Sequence, residues 1–147
     1  MRDADWEEHA LAALRGAGYR SGGARRRVVG LLAGEPCAMT ALEIDRRLEG
    51  VGRASVYRAL EQLEALALVQ RIDLGGEAAG YERLDPGGTH HHHLVCARCG
   101  RVVPFADARL ERAIHSVARA SDFEVSGHEV VLRGACAPCV SQAETGA

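Results

Sequence analysis

Lysine is absent from this 147-residue chain, and all 18 of its basic residues are arginine. Such a complement reads partly as a GC-rich coding bias, so any one arginine carries less functional weight than usual. Aromatic residues make up only 4%, and no apolar run approaches the ~20 residues that a membrane-spanning helix needs, which excludes such a helix. The acidic start Met1-Arg2-Asp3-Ala4-Asp5-Trp6 lacks the basic-then-apolar order of a secretory leader, so a cytoplasmic location is expected. No phosphate-cradling glycine loop, no nucleophile–base constellation and no H-x-E deaminase signature is present. An enzyme acting on a small-molecule substrate is therefore not expected. Internal repeats are missing too, and the one biased tract is a run of four histidines. What remains is ordinary for a water-exposed globular chain: 47% hydrophobic and 26% charged residues, at a length that suits one domain or two small ones. The formal net charge of −2 speaks, as an average, against a nucleic-acid partner.

The two halves differ in chemistry. Four helices are predicted in the first. Asp5–Arg15 carries Trp6, Ala10, Leu11 and Leu14 on one side and ends at Gly16 and Gly18. Arg25–Ala33 stops at Gly34, and the capping box Thr40-Ala41-Leu42-Glu43 starts a third helix reaching about Leu48. After Gly50-Val51-Gly52, a fourth presents Val56, Leu60, Leu63 and Ala67 on one side, with Tyr57, Arg58, Glu61 and Gln62 opposite. Leu68–Asp73 and Gly80–Leu84 flank a glycine turn as a β-hairpin, completing a winged helix-turn-helix. The average charge hides a basic segment here: between Arg15 and Arg58, nine arginines face four acids, a net of +5. In the second half, Leu94-Val95, Val102–Phe105, Phe123–Val125 and Glu129–Arg133 are predicted strands. Asp107 caps a helix to about Ala120 with Leu110, Ile114 and Val117 inward.

Cys96-x-x-Cys99 and Cys136-x-x-Cys139 form two knuckles beside small residues that let the chain turn around an ion. Four thiolates suit tetrahedral Zn²⁺ and leave no open coordination position, so the zinc is structural rather than catalytic. Thiols stay reduced in the cytoplasm, which disfavours two disulfides. His90-His91-His92-His93 leads into the strand before Cys96. Side chains alternate along an extended chain, so His91 and His93 point one way and His90 and His92 the other. One run can thus serve two metal sites, with Glu82 as partner on one side and Glu111 and His128 on the other. Imidazole and carboxylate suit Zn²⁺, Fe²⁺ or Mn²⁺. Cys37 stays open between a small buried residue and a thiolate ligand on the Glu82 side. His115, one helical turn from Glu111, receives no role.

These residues resemble the ferric uptake regulator (Fur) family of bacterial metal-sensing repressors. The resemblance runs from Gly18-Tyr19-Arg20 to Cys139. It rests on the stretch Gly52-Arg53-Ala54-Ser55-Val56-Tyr57-Arg58-Ala59-Leu60, on the histidine run joined to Cys96-x-x-Cys99-Gly100, and on the second C-x-x-C. It implies an α+β chain: a winged-helix DNA-binding domain at 1–84, a hinge at 85–89 and a small α/β metal-binding dimerisation domain at 90–147. It also implies structural zinc on Cys96, Cys99, Cys136 and Cys139, a regulatory site of Glu82, His91 and His93 with Cys37 as a further candidate, and a secondary site of His90, His92, Glu111 and His128. Members often supply a histidine before the third helix, where this chain has only Cys37, which leaves the regulatory ion as Zn²⁺ or Fe²⁺ and ranks Mn²⁺ below them. Peroxide-sensing members carry a carboxylate after the first knuckle, where this chain has Pro104.

The function so implied is a repressor binding palindromic A·T-rich double-stranded DNA as a metal-loaded homodimer and controlling zinc or iron homeostasis genes. Tyr57 is the candidate for thymine methyls and Arg58 for base edges or phosphate. Ser55 and Arg53 sit at a helix N-terminus that favours phosphate, Arg25 is a candidate phosphate contact, and the resemblance places Arg20 near the minor groove. A peroxide-sensing regulator is the alternative within the family. A zinc storage or delivery protein, which has no use for a winged helix, or a zinc-dependent enzyme, for which no nucleophile–base constellation is present, is the alternative outside it.

Overall fold

The computed structural model describes residues 3–20, 22–75, 79–85 and 90–145, in two compact units, Met1–Thr89 and His90–Ala147. Gly76 of the expected hairpin turn and residues 86–89 of the expected hinge lie outside the described residues. No helix among the described residues is long and apolar enough to cross a membrane.

The first unit is built on helices with one apolar side each. In α1 (Asp3–Gly16), Trp6, Ala10, Leu11 and Leu14 are buried, and in α2 (Gly23–Ala33) so are Val28, Val29, Leu32 and Ala33. A two-residue strand, β1 (Met39–Thr40), precedes α3 (Ala41–Arg47); neither periodicity nor turn chemistry announces so short an element. The capping box is formed as predicted: the Thr40 hydroxyl accepts from the Glu43 N–H at 3.1 Å, and the Glu43 carboxylate accepts from the Thr40 N–H at 2.7 Å. Each side chain satisfies a backbone donor that the helix start leaves unpaired.

Helix α4 (Arg53–Ala65) buries Val56, Ala59, Leu60 and Leu63. Ala67, expected on the same stripe, lies outside the helix with φ 52°, because the chain closes there in a Schellman motif. The Leu68 N–H reaches the Leu63 carbonyl at 2.9 Å and the Ala67 N–H the Glu64 carbonyl at 2.9 Å. Strands β2 (Val69–Asp73) and β3 (Ala79–Arg83) then form the wing, in an antiparallel sheet of order β1-β3-β2. A Cβ at Gly80 would stand 2.8 Å from Leu74 Cδ1 and 3.1 Å from Ala38 Cβ, so β3 passes between them as glycine.

The second unit has β4 (His92–Cys96) at the centre of a three-stranded sheet, antiparallel to β5 (Val102–Phe105) and parallel to β6 (Val131–Gly134). The parallel crossover contains α5 (Ala108–Ala120), started by Asp107, whose carboxylate accepts from the N–H of Arg109 at 2.7 Å and of Leu110 at 3.3 Å. A last helix, α6 (Ala137–Thr145), continues from the second knuckle and was not anticipated. Three expectations are corrected here. Phe123–Val125 is not a strand: its alternation is right, but a ladder needs a neighbour, and none of the described strands pairs with it. The last strand begins at Val131 rather than Glu129. Val117 does not face inward, being 71% exposed, and no residue of α5 is buried within the chain.

Candidate metal centres and nucleic-acid face

The two knuckles meet at one end of β4. The sulfurs of Cys96, Cys99, Cys136 and Cys139 all lie within 4.8 Å of one another. Cys99 and Cys136 Sγ are 3.7 Å apart. A disulfide would bring them to about 2.05 Å, whereas two corners of a tetrahedron with ~2.3 Å Zn–S bonds stand about 3.8 Å apart. The backbone N–H groups of Cys136 and Cys99 donate to Cys96 Sγ at 3.3 and 3.5 Å and hold its thiol down to about 5. Hydrogen bonding to Cys136, then burial, pushes Cys139 up to about 12. Four thiolates this close cannot all be charged without a cation among them, and the donor set fits Zn²⁺.

A second cluster gathers where β4, α5 and the chain before β6 meet. His90, His92, Glu111 and His128 offer ligand atoms within 4.8 Å of one another. Glu111 Oε1 lies 2.7 Å from His92 Nε2, and Oε2 lies 3.1 Å from His128 Nε2. The His92 hydrogen bond holds the Glu111 carboxyl below the usual carboxylate range, with the neighbouring imidazoles acting in the same direction. Burial first and His92 second lower His90, towards the neutral form a metal requires. His115 is tied elsewhere, its Nδ1 2.8 Å from the Glu111 backbone oxygen.

The remaining candidates fall into one pair in each unit. In the first, Met39 pairs with Tyr81, which brings the Cys37 end of that segment alongside Glu82, and both residues are buried. In the second, the His91 and His93 rings meet at 5.1 Å. Gln70, which sequence reasoning did not single out, donates to Glu82 Oε2 at 3.0 Å. Only the register that sets Gln70 opposite Glu82 reveals it. Pro104 stands opposite His93 on β5 and offers no ligand atom.

On α4, Tyr57 is 43% exposed, on the side opposite the buried Val56, Ala59 and Leu60, so it is not a core residue. Arg58 beside it is exposed, and Ser55 is half-buried in the first turn. That turn follows Gly52 and has no side-chain cap. Arg53 Nε lies 3.1 Å from Asp45, an ion pair that competes with phosphate. Arg20 is exposed, while Arg25 is engaged by the Gln62 side chain, the Arg20 carbonyl and the Tyr19 ring. That clamp gives Arg25 a structural role alongside any phosphate contact.

Comparison with known proteins matches residues 16–133 to the ferric uptake regulator family model. The chain is 37% identical over 124 residues to a ferric uptake regulation protein of Pseudomonas aeruginosa, covering 81% of this chain and 91% of that protein. It is 40% identical over 91 residues to the one of Legionella pneumophila, covering 62% of this chain but only 65% of that protein. Among solved structures, the ferric uptake regulator of Vibrio cholerae superposes with TM-score 0.74 at 30% identity, covering 85% of this chain and 98% of that one.

Proposed function

Because the chain belongs to the ferric uptake regulator family, we propose that it is a metal-responsive repressor acting in the cytoplasm as a metal-loaded homodimer on palindromic A·T-rich operators of zinc or iron homeostasis genes. As a member of that family it is a metal-binding, DNA-binding transcriptional regulator and not an enzyme. Structural zinc takes Cys96, Cys99, Cys136 and Cys139. The regulatory ion takes Cys37, Glu82, His91 and His93, and the cluster of His90, His92, Glu111 and His128 is a secondary site.

The carrying observation is that each unit assembles half of a ligand set on its own: Cys37 beside Glu82 before the hinge, His91 against His93 after it. One ion shared by the two pairs spans the hinge at 85–89 and fixes the recognition helices of a dimer for adjacent major grooves. Without it, part of the binding energy is spent ordering the units, and apparent affinity falls with the fraction of chains in the competent arrangement. Thiolate beside imidazole and carboxylate favours zinc over iron. The homodimer is supported by the exposed apolar residues of the second unit, Val117, Phe123, Val125 and Leu132. A partner copy also gives Phe123–Val125 the neighbour that its alternation lacks.

Gel-shift titration on an A·T-rich palindrome, with Zn²⁺ or Fe²⁺ and then with a chelator too weak to strip the four-cysteine site, is expected to show binding that depends on added metal. Equal affinity in both conditions would sink the switch. In the same assay Tyr57→Ala is expected to weaken site-specific binding by ~10–100-fold, the worth of about 1–3 kcal/mol for one base-pair contact. Dimer mass and zinc content should stay unchanged; a monomeric variant would mark Tyr57 as structural.

A further inference from the structure

Arg25 is the third residue of α2, in a first turn that holds no acidic residue. A cation there opposes the helix dipole, so the helix itself gives no reason for it. Its contacts do. The guanidinium donates through Nε to the side-chain oxygen of Gln62, in the last turn of α4, and through a second nitrogen to the Arg20 carbonyl. Its carbon stands 5.5 Å from the centre of the Tyr19 ring, within reach of a cation–π contact. A guanidinium carries donors only, so it also decides which end of the Gln62 amide faces it.

The segment that Arg25 holds is fixed from the other side as well. Helix α1 closes in a Schellman motif, with the Gly18 N–H on the Arg15 carbonyl and the Tyr19 N–H on the Leu14 carbonyl, both at 3.0 Å, and Gly18 at φ 84°. The chain thus reaches Arg20 from an anchored helix end, and Arg25 joins it to α4. Arg20 is exposed, as are Tyr57 and Arg58 on α4. Two exposed sets of side chains on different elements are kept at one spacing by a guanidinium that has Gln62 as its anchor. Arginine suits this task because its planar fork serves two acceptors and a ring face at once, which a lysine ammonium does not.

Resting on the reading of this unit as DNA-binding, we propose that Gln62 is a positioning residue for sequence recognition: through Arg25 it sets the Arg20 segment at a fixed distance from the recognition helix. Both then meet one duplex without further ordering. Preorganisation of this kind adds affinity for the matching site and little to non-specific binding, which phosphate charge supplies.

The test uses the metal-loaded full chain on a duplex that the parent protein selects from a randomised A·T-rich pool, and on a G·C-rich duplex of equal length, over a range of salt. Gln62→Leu keeps the side chain's bulk and the protein's charge and removes the acceptor. It is expected to lower the ratio of specific to non-specific affinity about tenfold, within the range for one base-pair contact, with the salt slope unchanged. Arg25→Lys, which retains the charge, should do the same, and it carries the comparison if the leucine variant folds poorly. Gln62→Glu, which restores an acceptor, should return the ratio to that of the parent. Arg20→Ala should cost less in the Gln62→Leu background than in the parent, because a released segment has less to lose. Three results overturn the inference while leaving the protein DNA-binding: a Gln62→Leu variant with the parent's ratio, an Arg25→Lys variant with the parent's ratio, or an equal cost of Arg20→Ala in both backgrounds. If the parent selects no sequence at all, the DNA-binding reading fails, and the inference with it.

Discussion

Stripping the metal from Cys96, Cys99, Cys136 and Cys139 is expected to unfold residues 90–147 while residues 3–85 stay folded. The reason is how little the second unit buries. Among its described residues only His92, His93, Val95 and Cys96 are buried, and two of those are imidazoles. A structural zinc contributes ~10–16 kcal/mol of apparent binding energy, as much as the ~5–15 kcal/mol that holds a whole domain together. Amide hydrogen exchange checks this directly. After strong chelation, or in Cys99→Ser, protection in β4 should disappear while protection in α4 persists. Retained protection in β4 would show that the second unit folds without its metal.

Replacing Trp6 by alanine is expected to bring the first unit to the edge of unfolding. Trp6 is fully buried in the core shared by α1, α2 and α4, and its indole N–H donates to the Leu84 carbonyl at 2.9 Å. Truncating a buried tryptophan costs about 3–5 kcal/mol, a large part of the ~5–15 kcal/mol available. Trp6→Phe keeps most of the apolar burial and loses mainly the hydrogen bond, worth about 0.5–1.5 kcal/mol. Urea unfolding followed by circular dichroism should therefore rank the wild type first, Phe second and Ala well below. An alanine variant as stable as the phenylalanine one would show that the indole's volume is not what the core depends on.

What was legible in the sequence is what is local. The capping box at Thr40, the Asp107 cap, the buried stripe of α1 and Val56, Leu60 and Leu63 of the α4 stripe depend on residues within a few positions of one another, and all follow from the sequence, whereas Ala67 falls beyond the helix end. The four-cysteine set and the split of the histidine run follow too, because knuckle spacing and strand alternation are local as well. Phe123–Val125 and Val117 were misplaced because, among the described residues, no strand pairs with the first and the second is 71% exposed, and a local pattern does not reveal a missing neighbour. The charge of −2 misled only as an average, since the arginines collect in the helical segment around α4.

Strand β4 ties the three candidate clusters to one register. Five consecutive residues and the two before them belong to the three candidate clusters: His91 and His93 on one face, His90 and His92 on the other, and Cys96 at the end. A one-residue slip of a strand exchanges its faces. Here such a slip would take His93 from its partner His91's site into the Glu111 cluster and carry Cys96 away from Cys136 in the same movement. An ion holding Cys96 to Cys136 would therefore reinforce, beside the ladders to β5 and β6, the register on which both histidine clusters depend. Losing the four-cysteine ion is therefore expected to disturb both histidine clusters together.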